Sequence, residues 1–222
     1  MSSDVIDIIV EQVRRHLERG RARAGVRLEI SVGVSGRHVH LSEDDCRRLF
    51  GEGHRLEKRN DLSQPGQFAC METVLLAGPR GALAPVRVLG PLRKRTQVEV
   101  SRTDCLHLGI PAVVRESGDL SGSTGAVLVG PRGSVALPEG VIVARRHVHM
   151  QTGQAASLGL SDGQNVLVVV RTGDRRLIFS DVALRVRDDF SLEFHADTDE
   201  ANAAGLQTGD TAELVVQEVD MP

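Results

Sequence analysis

From Arg27 onward, apolar residues come in short runs rather than at helical spacing. Leu28–Val34, Thr73–Leu76, Val86–Leu89, Gln97–Val100, Ala126–Val129, Val141–Ala144, Val166–Val170 and Ala183–Val186 are rich in valine and leucine and are punctuated by Gly and Pro. That texture predicts strands. Gly78-Pro79-Arg80-Gly81 and Gly130-Pro131-Arg132-Gly133 read as turns between them. Many short strands with regular turns predict β-barrels rather than a parallel α/β sheet. Residues 51–71 are more polar and less regular, and read as an excursion from a barrel. Residues 4–19 follow another period: Ile6, Ile9, Val10, Val13 and Leu17 share one helical face, and Arg14, Arg15 and Glu18 point away. Ser3 or Asp4 can cap that helix, and residues 20–26 read as a linker. The helix either docks on the domain or serves as a detachable peptide for a partner.

The chain repeats itself. Arg37-His38-Val39-His40 returns as Arg146-His147-Val148-His149. His149–Val170 also lies over His195–Val216 without a gap, pairing Thr152 with Thr198, Gly159 with Gly205 and Gly163 with Gly209. Each copy reads as a strand end, a Thr-led short helix, a glycine at its C-terminus, a turn and a strand. Glu99 precedes Gly109 at the spacing of His149 to Gly159 and His195 to Gly205, and His40 precedes Gly51 at one residue more. Four similar units, each opening on a potential metal ligand, imply two related barrels of two units each.

Five of the eight histidines, His38, His40, His147, His149 and His195, sit at these unit starts. On a strand, residues i and i+2 face one side, so each His-Val-His offers two imidazoles to one point. A catalytic zinc site takes about three protein ligands and leaves a position open. The unit starts supply Glu99 and His195 as third ligands. One arrangement sets His38, His40 and Glu99 about one metal and His147, His149 and His195 about another; the repeat leaves the pairing across copies open. His16, His54 and His107 lack any such pattern and read as surface or linker residues. Arg93, Lys94 and Arg95 follow a Gly-Pro turn just before the Glu99 strand. They read either as a solvated turn or as an anion site beside the metals.

Composition narrows the classes. The 222 residues suit one large domain or two small ones, and 41% apolar with 26% charged residues is globular composition. Net charge is −3, so no basic excess draws a nucleic-acid backbone. The longest apolar run, Val166–Val170, cannot span a bilayer, and the acidic N-terminus is unlike a secretory signal. Cys46, Cys70 and Cys105 are few, odd in number and widely spaced, which argues against a disulfide framework and for a reducing cytosol. None reads as a nucleophile, because the histidines able to act as its base are claimed as ligands.

The motifs together resemble a known family. Gly33–Ser42, Gln64-Pro65-Gly66-Gln67-Phe68-Ala69, Val88-Leu89-Gly90-Pro91, Glu99–Cys105, Arg146–Met150 and His195–Asn202 resemble the PduL-type phosphotransacylases, the phosphate propanoyltransferases of bacterial microcompartments. The resemblance spans about residues 30–216. It implies a mainly β fold with short helices: two related β-barrels capped by helices, preceded by an N-terminal amphipathic helix. It implies two divalent metals, usually zinc, held by His38, His40 and Glu99 and by His147, His149 and His195, with Arg93 binding phosphate. It further implies interleaved barrels, with the strand near 28–36 joining the C-terminal one. The domains are then 1–26 (helix and linker), 37–144 (a barrel with the excursion at 51–71) and 27–36 plus 145–222 (the second barrel). Acyl-CoA and phosphate are the implied partners, along with a homodimer and a microcompartment shell or cargo reached through residues 4–19. The location is cytoplasmic, inside a microcompartment. Two departures stand out: Gly36 where the family has Asn, and Arg145 where it has Ala; neither replaces a ligand.

The expected activity is phosphotransacylation: acyl-CoA plus phosphate exchanging with acyl phosphate plus CoA. Two other readings compete with it. A cupin-like metalloenzyme also uses His-x-His on a small barrel, but its glutamate follows the second His by four or five residues, whereas Glu43 follows His40 by three. A non-catalytic microcompartment cargo protein leaves the five clustered histidines unexplained.

Overall fold

A computed structural model describes residues 27–171 and 175–216. The helix and linker expected before residue 27 lie outside them.

The short runs become strands, as their valine-rich composition requires, and the strands close into two six-membered rings. The first ring contains β2 (His38–Ser42), β4 (Phe68–Ala77), β5 (Ala82–Arg93), β6 (Gln97–Glu99), β8 (Thr124–Val129) and β9 (Ser134–Ala144). Its order is β2-β6-β9-β8-β4-β5, with β3 (Lys58–Asp61) added to β4 and β7 (Val114–Arg115) to β9. The second ring has the order β1 (Arg27–Ser35), β13 (Glu193–Asp197), β10 (His147–Met150), β12 (Leu177–Val186), β11 (Asn165–Val170) and β14 (Thr211–Val215). The rings match pair by pair. β2 and β10 each run parallel to one neighbour (β5, β12) and antiparallel to the other (β6, β13), which in turn runs parallel to β9 or β1. β9 and β1 are therefore equivalent. The strand that comes last in the first barrel comes first in the chain for the second, so the second barrel is a circular permutant. The chain crosses between barrels twice, at 36–37 and at 145–146, each time directly before a His-Val-His.

Each barrel has its own core. Val39, Leu41, Leu76, Val86, Val88 and Leu128 pack in the first; Val148, Met150, Val168, Leu184, Phe194 and Leu214 pack in the second. Val39 and Val148 are fully buried, which directs the flanking histidines to the opposite strand face.

The strands run longer than the apolar runs predict. β4 and β5 break register between Ala69 and Thr73 and between Val74 and Leu76. Such bulges interrupt the two-residue alternation, so only the regular middle is readable. The excursion at 51–71 contains β3, whose four residues are all exposed, and the first residues of β4.

A short helix follows each unit start: α1 (Glu43–Phe50), α2 (Arg102–Leu108), α3 (Thr152–Ser157) and α4 (Thr198–Ala204). Ser42 caps α1, and full capping boxes close α2 (Ser101 with Asp104) and α4 (Asp197 with Glu200). The motif arginines hold these caps: Arg37 forms a fork with Asp104 at 3.0 and 2.6 Å, and Arg146 bonds Glu200 at 2.5 Å and also Asp181. The two Gly-Pro-Arg-Gly turns pack on helix ends, Arg80 N donating to Leu108 O and Arg132 N to Leu49 O at 3.0 Å. A Cβ on Gly78 would stand 2.4 Å from Leu108 O, and one on Gly130 2.5 Å from Leu49 O, so close approach requires glycine at both.

Candidate metal centre between the barrels

Because both crossovers lead into His-Val-His strands, the two histidine pairs meet at the boundary between barrels. β6 and β13 then bring the third members. Glu99 lies opposite His38 in register, and His195 opposite His147. The donor atoms of His38, His40 and Glu99 fall within 4.8 Å of one another, and so do those of His147, His149 and His195.

The backbone sets the first imidazole of each pair. His38 Nδ1 lies 2.8 Å from Gly36 O, and His147 Nδ1 2.8 Å from Arg145 O. A carbonyl only accepts, so Nδ1 carries the proton and Nε2 presents a lone pair. Of the other imidazoles, His40 Nδ1 and His149 Nδ1 are buried with no hydrogen-bond partner, and His195 Nε2 lies 2.9 Å from Glu193 Oε2. Orphaned buried nitrogens are costly, and coordination removes that cost. Imidazole nitrogens with one carboxylate suit zinc and similar divalent ions.

The electrostatics agree with that chemistry. Burial, then neighbouring charge, lowers His40 to about 3, His149 to about 2 and His147 to about 4. These imidazoles are neutral at neutral pH, which is the ligand form. Burial raises the Glu99 carboxyl, but His38 and His40 outweigh it and hold the pKa below the ordinary range. Glu99 Oε1 also accepts from Gln97 Nε2 at 2.6 Å, and Gln97 is anchored by Ser117 Oγ at 2.8 Å and by Gly118 N at 2.8 Å.

Both clusters open onto one cleft of about 850 Å³ with walls from both barrels. Arg93 ends β5 and Arg185 lies on β12 beside His149. Among the described residues, neither guanidinium has a carboxylate within salt-bridge distance; Arg93 Nη1 reaches Ser117 Oγ at 3.3 Å and Arg185 Nη2 reaches Ser117 O at 3.5 Å. Burial and the Arg185 charge depress Arg93 against the pull of Glu99. Two unpaired cations facing one cleft form an anion site. Arg93 acts on His40 and Arg185 on His147 and His149, so the pair straddles the clusters.

The phosphate propanoyltransferase family model matches residues 31–207. The chain belongs to the phosphate propanoyltransferase family. A phosphate propanoyltransferase of Thermotoga maritima is 53% identical over 211 residues, covering 95% of this chain and 99% of that one. One from Salmonella typhimurium is 50% identical over 199 residues, covering 90% and 92%. One from Listeria monocytogenes is 43% identical over 215 residues, covering 97% of each. Family membership makes the chain an enzyme, a phosphate acyltransferase. No helix among the described residues is long and apolar enough to cross a membrane.

Seven sequence-predicted residues of this family member therefore meet in the cleft: His38, His40, Glu99, Arg93, His147, His149 and His195. Arg95 and Arg146 are engaged elsewhere, Arg95 with Glu139 at 2.5 Å. His54 pairs with Glu72 at 2.7 Å and stacks on Phe50, and His107 donates to Ala82 O at 3.1 Å. All three cysteines are buried, and burial raises Cys70 and Cys105 to about 11. Sequence reasoning missed Arg185, Ser117, Gln97, Glu193 and Ser63, and gave Gln64 no role beyond its place in the Gln64–Ala69 motif. Gln97 and Glu193 were within reach, because each stands at i−2 from a ligand candidate on the same strand face. Arg185 and Ser117 carried no signal, since only barrel closure brings β12 and the 116–123 loop to the cleft.

Proposed function

We infer that the protein interconverts acyl-CoA plus phosphate with acyl phosphate plus CoA, acting on propanoyl-CoA or a similar short acyl chain, at a two-metal site. The observation that carries this reading is the single cleft in which two three-donor clusters and two unpaired guanidiniums converge, in a chain of this family. His38, His40 and Glu99 would hold one divalent ion and His147, His149 and His195 the other. When bound, such ions supply positive charge to a leaving thiolate and to phosphate oxygens.

The protein's own groups do the rest. Arg93 and Arg185 bind and orient phosphate from two sides and offset its charge. A phosphate oxygen attacks the thioester carbonyl, the new C–O bond forms, the C–S bond breaks, and CoA leaves with the proton that phosphate gives up. Ser117, whose hydroxyl touches both Arg93 and Gln97, keeps the guanidinium and the Glu99 brace in one arrangement. No covalent acyl-enzyme is needed, and the buried, raised thiols supply no nucleophile.

The test combines metal analysis with CoA thiol release from acyl-CoA in the presence and absence of phosphate. Phosphate-dependent release with about two divalent ions per chain is expected; metal-free protein, or release without phosphate, defeats the reading. Residues 4–19 serve as a docking peptide for a microcompartment shell or cargo, and the active form is a homodimer. A chain starting at Ala24 should keep its specific activity and lose co-purification with shell proteins.

A further inference from the structure

Glu193 is a buried carboxylate that the reaction does not use. It stands two residues before His195 on the same face of β13, and its Oε2 lies 2.9 Å from His195 Nε2. The contact is close but not aligned as a hydrogen bond, and because it engages Nε2 it leaves Nδ1 as the ring nitrogen for a metal. The same carboxylate accepts from Ser63 Oγ at 2.5 Å and from Gln64 Nε2 at 2.9 Å. Gln64 is fixed in turn, donating to Ser191 O at 3.1 Å and accepting from Ser191 N at 3.2 Å. Ser63 and Gln64 belong to the turn between β3 and β4, in the first barrel, whereas Glu193 and His195 belong to the second. Gly33 faces His195 in register, and a Cβ there would stand 3.0 Å from Glu193 Oε1 and 3.1 Å from His195 Cε1. The Gly33 side of the pair therefore has little room for a side chain.

The first cluster has the same device with the chemistry exchanged. Gln97 stands two residues before Glu99, and its amide donates to the Glu99 carboxylate. β6 and β13 are equivalent strands, so Gln97 and Glu193 are equivalent positions. An amide donor braces a carboxylate, and a carboxylate braces an imidazole. In each barrel the brace has the polarity that its neighbour needs.

We propose that Glu193 is a positioning residue for His195, seated by Ser63 and Gln64, so that metal affinity at the second cluster depends on the docking of the first barrel's β3–β4 turn. The proposal rests on the metal reading of that cluster. An outer partner that orients a ligating imidazole is commonly worth about 10–100-fold in metal affinity.

The experiment is a zinc titration of metal-stripped protein against a chromophoric chelator, with His147→Ala identifying which isotherm belongs to the second cluster. Glu193→Gln should weaken that isotherm by about 10–100-fold and leave the other in place. Glu193→Asp should recover part of the loss. Ser63→Ala, a turn substitution outside both cores, should give a smaller loss at the same site. Gly33→Ala, which removes no group and only crowds the pair, should weaken it too. Two isotherms of wild-type affinity in Glu193→Gln, or in Ser63→Ala if Glu193→Gln does not fold, overturn the proposal alone. Equal weakening of both sites also overturns it, because general loosening rather than positioning would then be at work. Wild-type protein that takes up no zinc overturns the metal reading and this proposal with it.

Discussion

Arg93→Ala tests the anion site most directly. A charge-assisted hydrogen bond contributes about 1.5–3 kcal/mol, and about 1.36 kcal/mol is tenfold in an equilibrium constant, so one lost guanidinium contact corresponds to a rise in the phosphate KM of about 10–150-fold. The structure places the effect at the low end of that range. Arg185 remains across the cleft, and the like charge that depresses Arg93 is relieved when either arginine goes. Arg185→Ala should behave alike, while Arg93→Lys, which keeps the charge but not the planar fork, should fall between. The double alanine variant should lose less than the product of the single losses, because both residues grip one anion. The assay is the initial rate of CoA thiol release, with phosphate varied at saturating acyl-CoA and then the reverse, and metal content measured for each variant. The acyl-CoA KM should move little. An unchanged phosphate KM in both single variants, with metals retained, refutes the reasoning and moves the anion site away from these arginines.

Elemental analysis of His38→Ala and His147→Ala should show about one divalent ion lost from each, from different clusters; loss of both from either variant contradicts independent triads. Metal-free protein should lose stability as pH falls below 6.5: unfolded histidines then protonate, whereas His40, His147 and His149 resist until about 3, 4 and 2, so the unfolded state binds more protons. Below about 4.5 the depressed Glu99 and Glu193 carboxyls add a loss of the same sign, and flat thermal stability of the metal-free protein from pH 7 to 5 contradicts the imidazole assignment. Changing Cys46, Cys70 and Cys105 together to Ala should leave most of kcat in the folded fraction; a fall of several orders of magnitude with both metals bound restores a covalent acyl-enzyme.

Much of the fold was legible because two periodicities were. The valine-rich runs marked strands, and the repeat of Arg-His-Val-His with its downstream glycines marked two related barrels. Long strands with bulges were shortened in the reading, since β4 and β5 lose the alternation where register slips. β3 was invisible because it is exposed on every residue. The metal-ligand candidates stood out because histidine is scarce in the chain and the two pairs share one spacing. The first residue of the motif was legible only as part of the repeat. Its role is structural, Arg37 and Arg146 each tying their crossover to the capping acid of a helix that follows the third ligand, and only the fold brings Asp104 and Glu200 to them. Arg185, Ser117 and Ser63 escaped for the same reason.

The permuted barrels also account for an asymmetry between the clusters. Each contains one carboxylate at or beside its third ligand on equivalent strands, but the order is reversed: Gln97 then Glu99 in the first, Glu193 then His195 in the second. In the first cluster the negative charge sits among the donor atoms; in the second it sits one contact further out, against His195. Coulomb attraction falls with distance, so a divalent ion on the first triad would be more fully neutralised than one on the second. The second triad would present more positive charge to the cleft, and Arg185 adds to it on that side. With metals bound as proposed, a doubly charged phosphate would be drawn there, and a singly charged thiolate would be left to the first. One exchange of side chains between matched strands would thereby give two similar triads different partners.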